Sequence, residues 1–211
     1  MKRLSGIIPV LTAVVLLAFS SCKETKEFDD HANWQQRNSD FIEAKSIQCD
    51  LNSQAYTDVE SIPVGTMFKL LSFKLDSEKN FGSGSYVYCE KIIKGNGTES
   101  PQYTDSVRIN YRARLIPTDN YPEGQVVDQS FKTSSLDPSV NIPASFAVSG
   151  LIDGVTTALM HMCCGDYWKL YIPYDMGYGT KDQGIIPAYS ALIFEVNLTE
   201  IAHTGEDLSP R

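Results

Sequence analysis

Residues able to carry acid–base or nucleophilic chemistry are sparse in this 211-residue sequence. It contains only three histidines, and no Ser-His-Asp, Cys-His or paired-carboxylate arrangement stands out. His161, followed by Cys163 and Cys164, is the nearest approach to a thiol nucleophile. These residues fall at the C-terminal end of a short predicted helix, where the helix dipole raises the pKa of a thiol. Their spacing fits no zinc site, so the sequence predicts neither a metal nor a cofactor.

A second group of residues has the character of a binding site. Tyr178 lies between two glycines, Asp128 follows Val127, and residues 151–154 lead into the same short helix. Glycines beside a tyrosine let the backbone pass close to a ligand, and the tyrosine hydroxyl can donate a hydrogen bond from an apolar wall. Taken one at a time, these segments are better explained as ordinary turns with buried aromatic residues.

Periodic patterns predict the elements that must position these loops. Five segments predict strands: 66–75, 86–94, 107–115, 167–172 and 192–201. In 107–115, apolar residues occupy the odd positions and polar residues the even ones, which is typical of a half-buried antiparallel strand. Helices are predicted over 33–46 and, with Asp153 as the N-cap, over 154–162. The sequence therefore predicts an α+β fold in which a curved antiparallel sheet folds over one short helix.

Residues 1–22 have the layout of an export signal. Two basic residues precede an apolar run over 7–19, which is too short to span a bilayer with ordinary flanks, although an uncleaved anchor is the alternative. The Ser-Ser-Cys ending at residues 20–22 resembles the lipobox of bacterial lipoproteins, which implies that Cys22 carries lipid. The charged tract that follows is similar to the export signal of Bacteroidetes surface lipoproteins and predicts a tether over 22–32.

Charge and cysteine content restrict the partners. The formal net charge of −8 argues against a nucleic acid or an anionic lipid surface as the main partner. Besides Cys22, the chain contains Cys49, Cys89, Cys163 and Cys164, which allow three full disulfide pairings. We expect these four cysteines to behave as small buried apolar residues. One disulfide from Cys163 or Cys164 to Cys49 or Cys89 stays open as an alternative.

A series of motifs resembles, in order and spacing, the FKBP family of peptidyl-prolyl cis-trans isomerases. The motifs are 107–115, 127–130, 146–154, 158–165, 169–173, 177–179, 184–187 and 192–196. The similarity runs from about residue 85 to 201, roughly half of the chain. It implies a half-barrel of antiparallel strands over the short helix. It also implies a shallow hydrophobic pocket between sheet and helix that accepts a proline ring.

The resemblance also implies which residues form the site. The Tyr178 hydroxyl and the Ile152 N–H would hold the carbonyls of the peptide, and Asp128 would stand beside them. The substrate pocket would be lined by Tyr111, Val127, Phe146, Leu151, Val155, Ile186 and Phe194. Val127 stands where the family usually has Phe, Val155 where it usually has Trp, and Ala113 where Gly is common. These departures predict a wider and less aromatic pocket.

The domain organisation and the function follow from the two resemblances. We predict a signal peptide over 1–21, a lipid-anchored tether over 22–32, an N-terminal extension over 33–84, an isomerase domain over 85–202 that folds alone, and a flexible tail over 203–211. The leading hypothesis is a prolyl isomerase, anchored by Cys22 in the cell envelope at the outer membrane, that acts on proline-containing polypeptides. The alternatives are a non-catalytic polypeptide-binding or adaptor lipoprotein and a structural subunit of a surface-lipoprotein complex.

Overall fold

The computed structural model describes residues 29–51, 58–76, 79, 81–137 and 140–210. The predicted signal peptide, Cys22 and the tether as far as residue 28 lie outside these residues. Within the described ranges, no helix combines the length and the apolar character needed to cross a membrane.

Seven strands form one antiparallel sheet, and two α-helices pack against it. The strands are β1 (Met67–Leu71), β2 (Tyr86–Ile93), β3 (Ser106–Leu115), β4 (Val126–Gln129), β5 (Ala144–Ala147), β6 (Tyr167–Ile172) and β7 (Leu192–Ala202). The helices are α1 (Trp34–Leu51) and α2 (Asp153–Leu159). The strand order is β1-β2-β6-β7-β3-β4, and β5 pairs with the same edge of β3 as β4. The predicted α+β class and antiparallel sheet are confirmed.

All five predicted strands are present, and the sheet contains two more. β4 and β5 span only four residues each, which is too short for a periodic pattern to stand out. β1 ends at Leu71 instead of residue 75. The chain turns there, because the Leu75 N–H donates to the Ser72 carbonyl at 2.9 Å.

α2 lies close to one face of the sheet because Gly154 has no side chain. A Cβ at this position would lie 2.4 Å from Cγ2 of Ile172 in β6, a distance that real side chains do not reach. The neighbouring Val155 is buried against the sheet. A glycine at the first turn therefore sets the separation between this helix and the strands beneath it.

Both ends of α2 differ from the prediction of Asp153 as the N-cap and residue 162 as the end. The N-cap position belongs to Ile152, whose carbonyl accepts the Thr156 N–H at 3.0 Å. Asp153 is the first helical residue, and its carboxylate pairs with the Lys74 ammonium at 2.8 Å. The helix ends at Leu159: the Met160 N–H still donates four positions back to Thr156, but those of His161 and Met162 donate to carbonyls three positions back, which tightens the last turn.

α1 covers the opposite face of the sheet. Ile172 in β6 contacts α2, so the adjacent Tyr171 points to the other side, because successive strand residues alternate between faces. There the Tyr171 ring lies 5.9 Å from the ring of Phe41 and 4.2 Å from the ammonium of Lys45, both on α1. Residues 87–89 in β2 are consequently buried on both faces of the sheet. The helix begins one residue later and ends five residues later than predicted.

The interpretation of 107–115 as a half-buried strand is wrong for the middle of β3. Asn110 and Arg112 are buried, although both occupy polar positions of the alternating pattern. The Asn110 amide donates to Oδ1 of Asn197 at 3.3 Å, and the loop after β4 covers Arg112. The Arg112 guanidinium donates to the carbonyls of Thr133 and Ser134 and lies 4.3 Å from the ring of Phe131. A long polar side chain thus holds a loop over the sheet, which a pattern of hydrophobicity alone does not reveal.

The described part of the predicted tail is hydrogen-bonded to the sheet. The His203 ring nitrogen Nδ1 lies 2.8 Å from a carboxylate oxygen of the buried Asp105. Farther along, the Ser209 N–H donates to Glu200 at 2.6 Å. These contacts hold residues 203–209 beside β3 and β7.

The hydrophobic core extends across the predicted boundary at residue 85. β1 pairs with β2 over five residues, from Met67 opposite Glu90 to Leu71 opposite Tyr86. Buried residues of the extension, including Trp34, belong to the same core as α2 and β6. The extension and the sheet therefore share one hydrophobic interior.

Truncation at residue 85 tests this shared core. The shortened chain loses α1 and β1, with the buried side chains of Trp34, Ile42 and Phe68. Full burial of a large apolar side chain contributes about 1.5–3 kcal/mol, against a total stability of about 5–15 kcal/mol for an ordinary domain. We therefore expect residues 85–211 to be molten or insoluble, and residues 29–211 to unfold cooperatively in urea.

A chain beginning at residue 58 is the control, because it keeps β1 and lacks α1. Its urea midpoint should lie below that of residues 29–211. Equal midpoints for all three chains would contradict the shared core and restore the expectation that residues 85–202 fold alone.

Candidate functional site

A cavity of about 230 Å³ opens between the sheet and the beginning of α2, and we call it the β3–α2 cavity. Its walls come from four strands, the segment that leads into α2, the helix itself and the loop after β6. The lining residues are Ile109, Tyr111, Asp128, Phe146, Gly150, Leu151, Ile152, Val155, Tyr178 and Phe194. Most of this lining is apolar or aromatic.

Eight of the ten predicted site residues line the β3–α2 cavity. The two that do not are Val127 and Ile186. Val127 precedes Asp128 in β4 at a register shift between β3 and β4, and it packs against the hydrophobic core. Ile186 is buried in the hydrophobic core and is not among the residues that line the cavity. The roles assigned to the eight lining residues remain predictions.

Sequence reasoning missed two lining residues, Ile109 and Gly150. Ile109 lies two positions before Tyr111 in β3, so the alternation of the strand places both side chains on one face and could have identified it. Gly150 precedes Leu151 in a turn and contributes only backbone to the wall. No signal in the sequence distinguishes it from other turn glycines.

Three aromatic rings from three strands form one wall of the cavity. The ring of Tyr111 in β3 meets the ring of Phe146 in β5 edge to face, with 5.6 Å between centroids. On its other side, the Tyr111 ring lies nearly parallel to the ring of Phe194 in β7, with 6.4 Å between centroids. Antiparallel pairing of β3 with β5 and with β7 brings the three strands together. The wall is therefore held by backbone ladders on both sides of β3.

Asp128 is fixed at the rim by two hydrogen bonds. The Tyr111 hydroxyl donates to Oδ2 at 2.8 Å, and the Gln129 N–H donates to Oδ1 at 2.8 Å. Burial, this hydrogen bond and the charge of Asp128 all raise the pKa of Tyr111. Burial and the same charge also raise the pKa of Tyr178. Both hydroxyls therefore stay protonated at neutral pH and can act only as neutral hydrogen-bond groups.

Tyr178 stands on a tight turn that follows β6. The N–H groups of Gly177 and Gly179 both donate to the Tyr174 carbonyl, at 3.0 and 2.9 Å. Gly179 has a φ of +73°, a conformation that favours glycine. The turn leaves 42% of Tyr178 exposed at the cavity mouth. Its hydroxyl is therefore accessible to a ligand.

Ile152 offers a backbone donor on the opposite side of the cavity. It has extended backbone angles at the N-cap position of α2, and its carbonyl is used by the helix. Within the described part of the chain, its N–H donates to no protein acceptor. The mostly apolar cavity thus has, among its lining groups, a tyrosine hydroxyl and a backbone N–H without a protein partner in the residues that the structure describes, beside the paired Tyr111 and Asp128.

The cysteines give no support to a thiol nucleophile. Burial raises the pKa of Cys163 and of Cys164, which disfavours the reactive thiolate. Cys49, Cys89 and Cys163 are buried as predicted, whereas Cys164 is only partly buried. All four thiols are free, so the structure contains no disulfide from Cys163 or Cys164 to Cys49 or Cys89.

Glu60, Cys163 and Asp166 form a cluster whose candidate metal-ligand atoms lie within 4.8 Å of one another. The two carboxylate oxygens of Asp166 already accept the N–H groups of Gly95 at 2.7 Å and of Cys163 at 2.9 Å. The Lys94 ammonium lies 3.3 Å from the Glu60 carboxylate. The donor set is therefore engaged in hydrogen bonds and an ion pair that tie the loop at Gly95 to the turn before β6. We assign it this structural role.

The chain matches known proteins over the part that contains the cavity. Residues 97–199 match the family model described as FKBP-type peptidyl-prolyl cis-trans isomerase. The chain is 36% identical over 118 residues to the macrophage infectivity potentiator of Trypanosoma cruzi, which covers 56% of this chain and 54% of that protein. It is 39% identical over 111 residues to the FKBP-type 22 kDa peptidyl-prolyl cis-trans isomerase of Escherichia coli K12, covering 52% and 47%. The outer membrane protein MIP of Legionella longbeachae is 32% identical over 112 residues, covering 53% and 42%.

The chain spans about half the length of these curated relatives. The region matched by the family model includes every lining residue of the β3–α2 cavity. The family resemblance inferred from the motifs is confirmed. Over residues 97–199, just under half of its length, this chain is similar to the FKBP-type peptidyl-prolyl cis-trans isomerase family.

Proposed function

We propose that this chain is a peptidyl-prolyl cis-trans isomerase that binds X–Pro segments in the β3–α2 cavity and assists the folding of exported proteins. The observation that carries the proposal is the cavity itself. It combines three aromatic rings with two hydrogen-bond donors, Tyr178 and the Ile152 N–H. Asp128 is the one carboxylate among its lining residues, and Tyr111 already donates to it.

The physics of the peptide bond explains how such a cavity can catalyse. Rotation about an X–Pro amide crosses a barrier of about 20 kcal/mol and takes tens of seconds without a catalyst. In the twisted transition state the amide loses its resonance, and its carbonyl becomes less polar. A cavity that removes water from the amide favours this state over the planar one. No proton transfer is required, which agrees with two tyrosines that stay protonated.

The donors would then orient the peptide. A hydroxyl at Tyr178 and an N–H at Ile152 can each hold a carbonyl next to the proline, while the ring of the proline lies against the aromatic wall of Tyr111, Phe146 and Phe194. Holding the two ends of the rotating bond removes part of the entropic cost of reaching the twisted state. The substrates proposed are proline-containing polypeptides.

The runner-up is a polypeptide binder without catalysis, and Val155 is the observation that favours it. This residue lines the cavity where the family usually has Trp, so the proline ring lacks an aromatic plate beneath it. A mere 1.4 kcal/mol changes a rate tenfold, so the fit at this one position can decide between the two functions.

We propose that the protein acts in the cell envelope, attached by lipid on Cys22 at the outer membrane. The sequence of residues 1–22 supports the export and the lipid attachment. The name of the Legionella longbeachae relative, an outer membrane protein, supports the envelope location. Cys22 itself lies outside the described residues.

Removal of the Tyr178 hydroxyl tests the proposed chemistry. A hydrogen bond of this kind contributes about 0.5–1.5 kcal/mol, so Tyr178→Phe should lower kcat/KM by up to about tenfold. The melting temperature should stay unchanged, because the hydroxyl lies at the open mouth of the cavity. The measurement is a protease-free proline isomerisation assay on the chain without residues 1–22.

Tyr121→Phe is the matched control, since Tyr121 is similarly exposed and does not line the cavity. It should leave both quantities unchanged. A Tyr178→Phe protein that loses stability but keeps its activity would show that this hydroxyl serves the fold instead.

Val155→Trp tests whether the missing aromatic plate limits the rate. If the cavity is a weakened isomerase site, the indole should supply contact area to the proline ring and raise kcat/KM several-fold. The added volume can cost about 1–3 kcal/mol through overpacking, so the melting temperature is measured on the same samples. Val155→Leu fills space without an aromatic face and should gain little. A folded Val155→Trp protein without activity, from an inactive parent, would favour the non-catalytic binder.

Cys22→Ala tests the lipid anchor. Without the thiol that accepts the lipid, the protein should appear in the soluble fraction or stay unprocessed, and labelling by radioactive palmitate should disappear. Cys164→Ala is the control and should be labelled and membrane-bound like the native chain. Persistent labelling of the Cys22→Ala protein would exclude this residue as the attachment site.

A further inference from the structure

α1 reaches beyond the sheet and contacts the end of the loop that carries Tyr178. We call residues 178–191 the pocket loop. The Trp34 indole N–H donates to the Ser190 hydroxyl at 2.9 Å, and Asn38 Oδ1 accepts the Ala191 N–H at 2.8 Å. Both contacts are buried. The first turn of α1 is thus attached to the point where the pocket loop enters β7.

Asn38 is suited to this attachment. It is 1% exposed, and asparagine is a poor residue for the interior of a helix. Its Nδ2 donates to the Trp34 carbonyl at 2.7 Å, so both ends of the amide have partners and its orientation is determined. Ala191 is fully buried, and its N–H would be left without this acceptor if Asn38 were apolar.

The pocket loop needs such support because its base is strained. Tyr189 has a φ of +62°, in the left-handed region that residues with a side chain rarely adopt. Its N–H closes the loop by donating to the Gly179 carbonyl at 2.9 Å, one residue after Tyr178. The Ser190 hydroxyl donates to the Pro187 carbonyl at 2.6 Å. A strained residue persists only where its surroundings impose its conformation, and here Asn38 and Trp34 hold the next two residues.

We propose that Asn38 is a positioning residue, which fixes the pocket loop through Ala191 and thereby sets the place of the Tyr178 hydroxyl at the β3–α2 cavity. Trp34 supports it through Ser190. The inference rests on the proposed isomerase function. It makes the N-terminal helix part of the active machinery although it contributes no lining residue to the cavity.

The test compares Asn38→Ala with Cys49→Ala on the chain without residues 1–22. Cys49 is also buried on α1, but eleven residues farther along, roughly 16 Å at 1.5 Å per residue. In Asn38→Ala, the KM for a proline peptide should rise roughly threefold to tenfold. Hydrogen exchange in residues 178–191 should become faster. Cys49→Ala should change neither the KM nor the hydrogen exchange of residues 178–191. If this variant is less stable, fewer molecules are folded, and that lowers the apparent kcat but not the KM.

Two further variants separate positioning from general destabilisation. Trp34→Phe keeps a buried aromatic ring but removes the indole N–H together with part of the ring volume. It should shift KM and exchange in the same direction by less, and it is the variant to use if Asn38→Ala does not fold. Asn38→Ala in the Tyr178→Phe background should add little to the effect of Tyr178→Phe alone, because both changes act on one hydroxyl.

The outcomes distinguish this inference from the function on which it rests. If the wild-type protein is active and both Asn38→Ala and Trp34→Phe keep its KM, the positioning role is wrong and the proposed function is unaffected. Additive effects of Asn38→Ala and Tyr178→Phe also overturn the positioning role alone. A wild-type protein without isomerase activity overturns the proposed function and the catalytic role of Asn38 together.

Discussion

The β3–α2 cavity depends on the close approach of α2 to β6 at Gly154. Any side chain at this position would meet Ile172 and push the helix away from the sheet. Leu151 and Ile152 lead directly into the helix, and Val155 is its third residue, so all three lining residues would move with it. A missing methyl group therefore sets the width of the space in which the proposed chemistry occurs.

The two faces of the sheet have different tasks. On the α2 face the strands supply aromatic rings to a cavity, and on the other face α1 seals β2 and β6 from water. Burial on both faces restricts the register of the central strands, because a slip of one residue would move every side chain to the other face, where it would meet packing partners of a different shape. The ten paired residues of β3 and β7 give the aromatic wall a rigid support.

Much of this architecture could be predicted from the sequence, for identifiable reasons. The five longer strands carry periodic patterns, and the ordered motifs locate eight lining residues. Patterns gave no indication that Arg112 would hold a loop over the sheet, since a buried guanidinium with carbonyl partners looks in sequence like any exposed polar residue. The direction of Ile186 was equally hidden, because a loop has no period from which orientation follows.

Asn38 shows the same limit more sharply. Its role depends on a hydrogen bond to Ala191, which lies 153 residues later in the chain. A single sequence does not indicate which distant residues come into contact. The place of α1 on the outer face was also hidden. Its apolar residues predict a helix, but the choice of face is made by Tyr171 and Tyr88 on strands far along the chain. Local patterns thus describe the parts well and their mutual arrangement poorly.

The span of the contacts made by α1 also has a consequence for biogenesis. Trp34 is joined to a residue 156 positions later, so the helix is synthesised early and finds its partner only when the chain is almost finished. Pairings this distant in sequence form slowly, typically on the order of milliseconds to seconds. The entropy of closing a large loop is lost before the contacts it brings together contribute any stabilisation. Until then only β1 and β2, which follow α1 closely in the chain, can cover part of the buried side of the helix. A growing chain with this order of contacts stays incompletely folded until late, which is compatible with the export proposed above, since a translocation channel passes only unfolded chains.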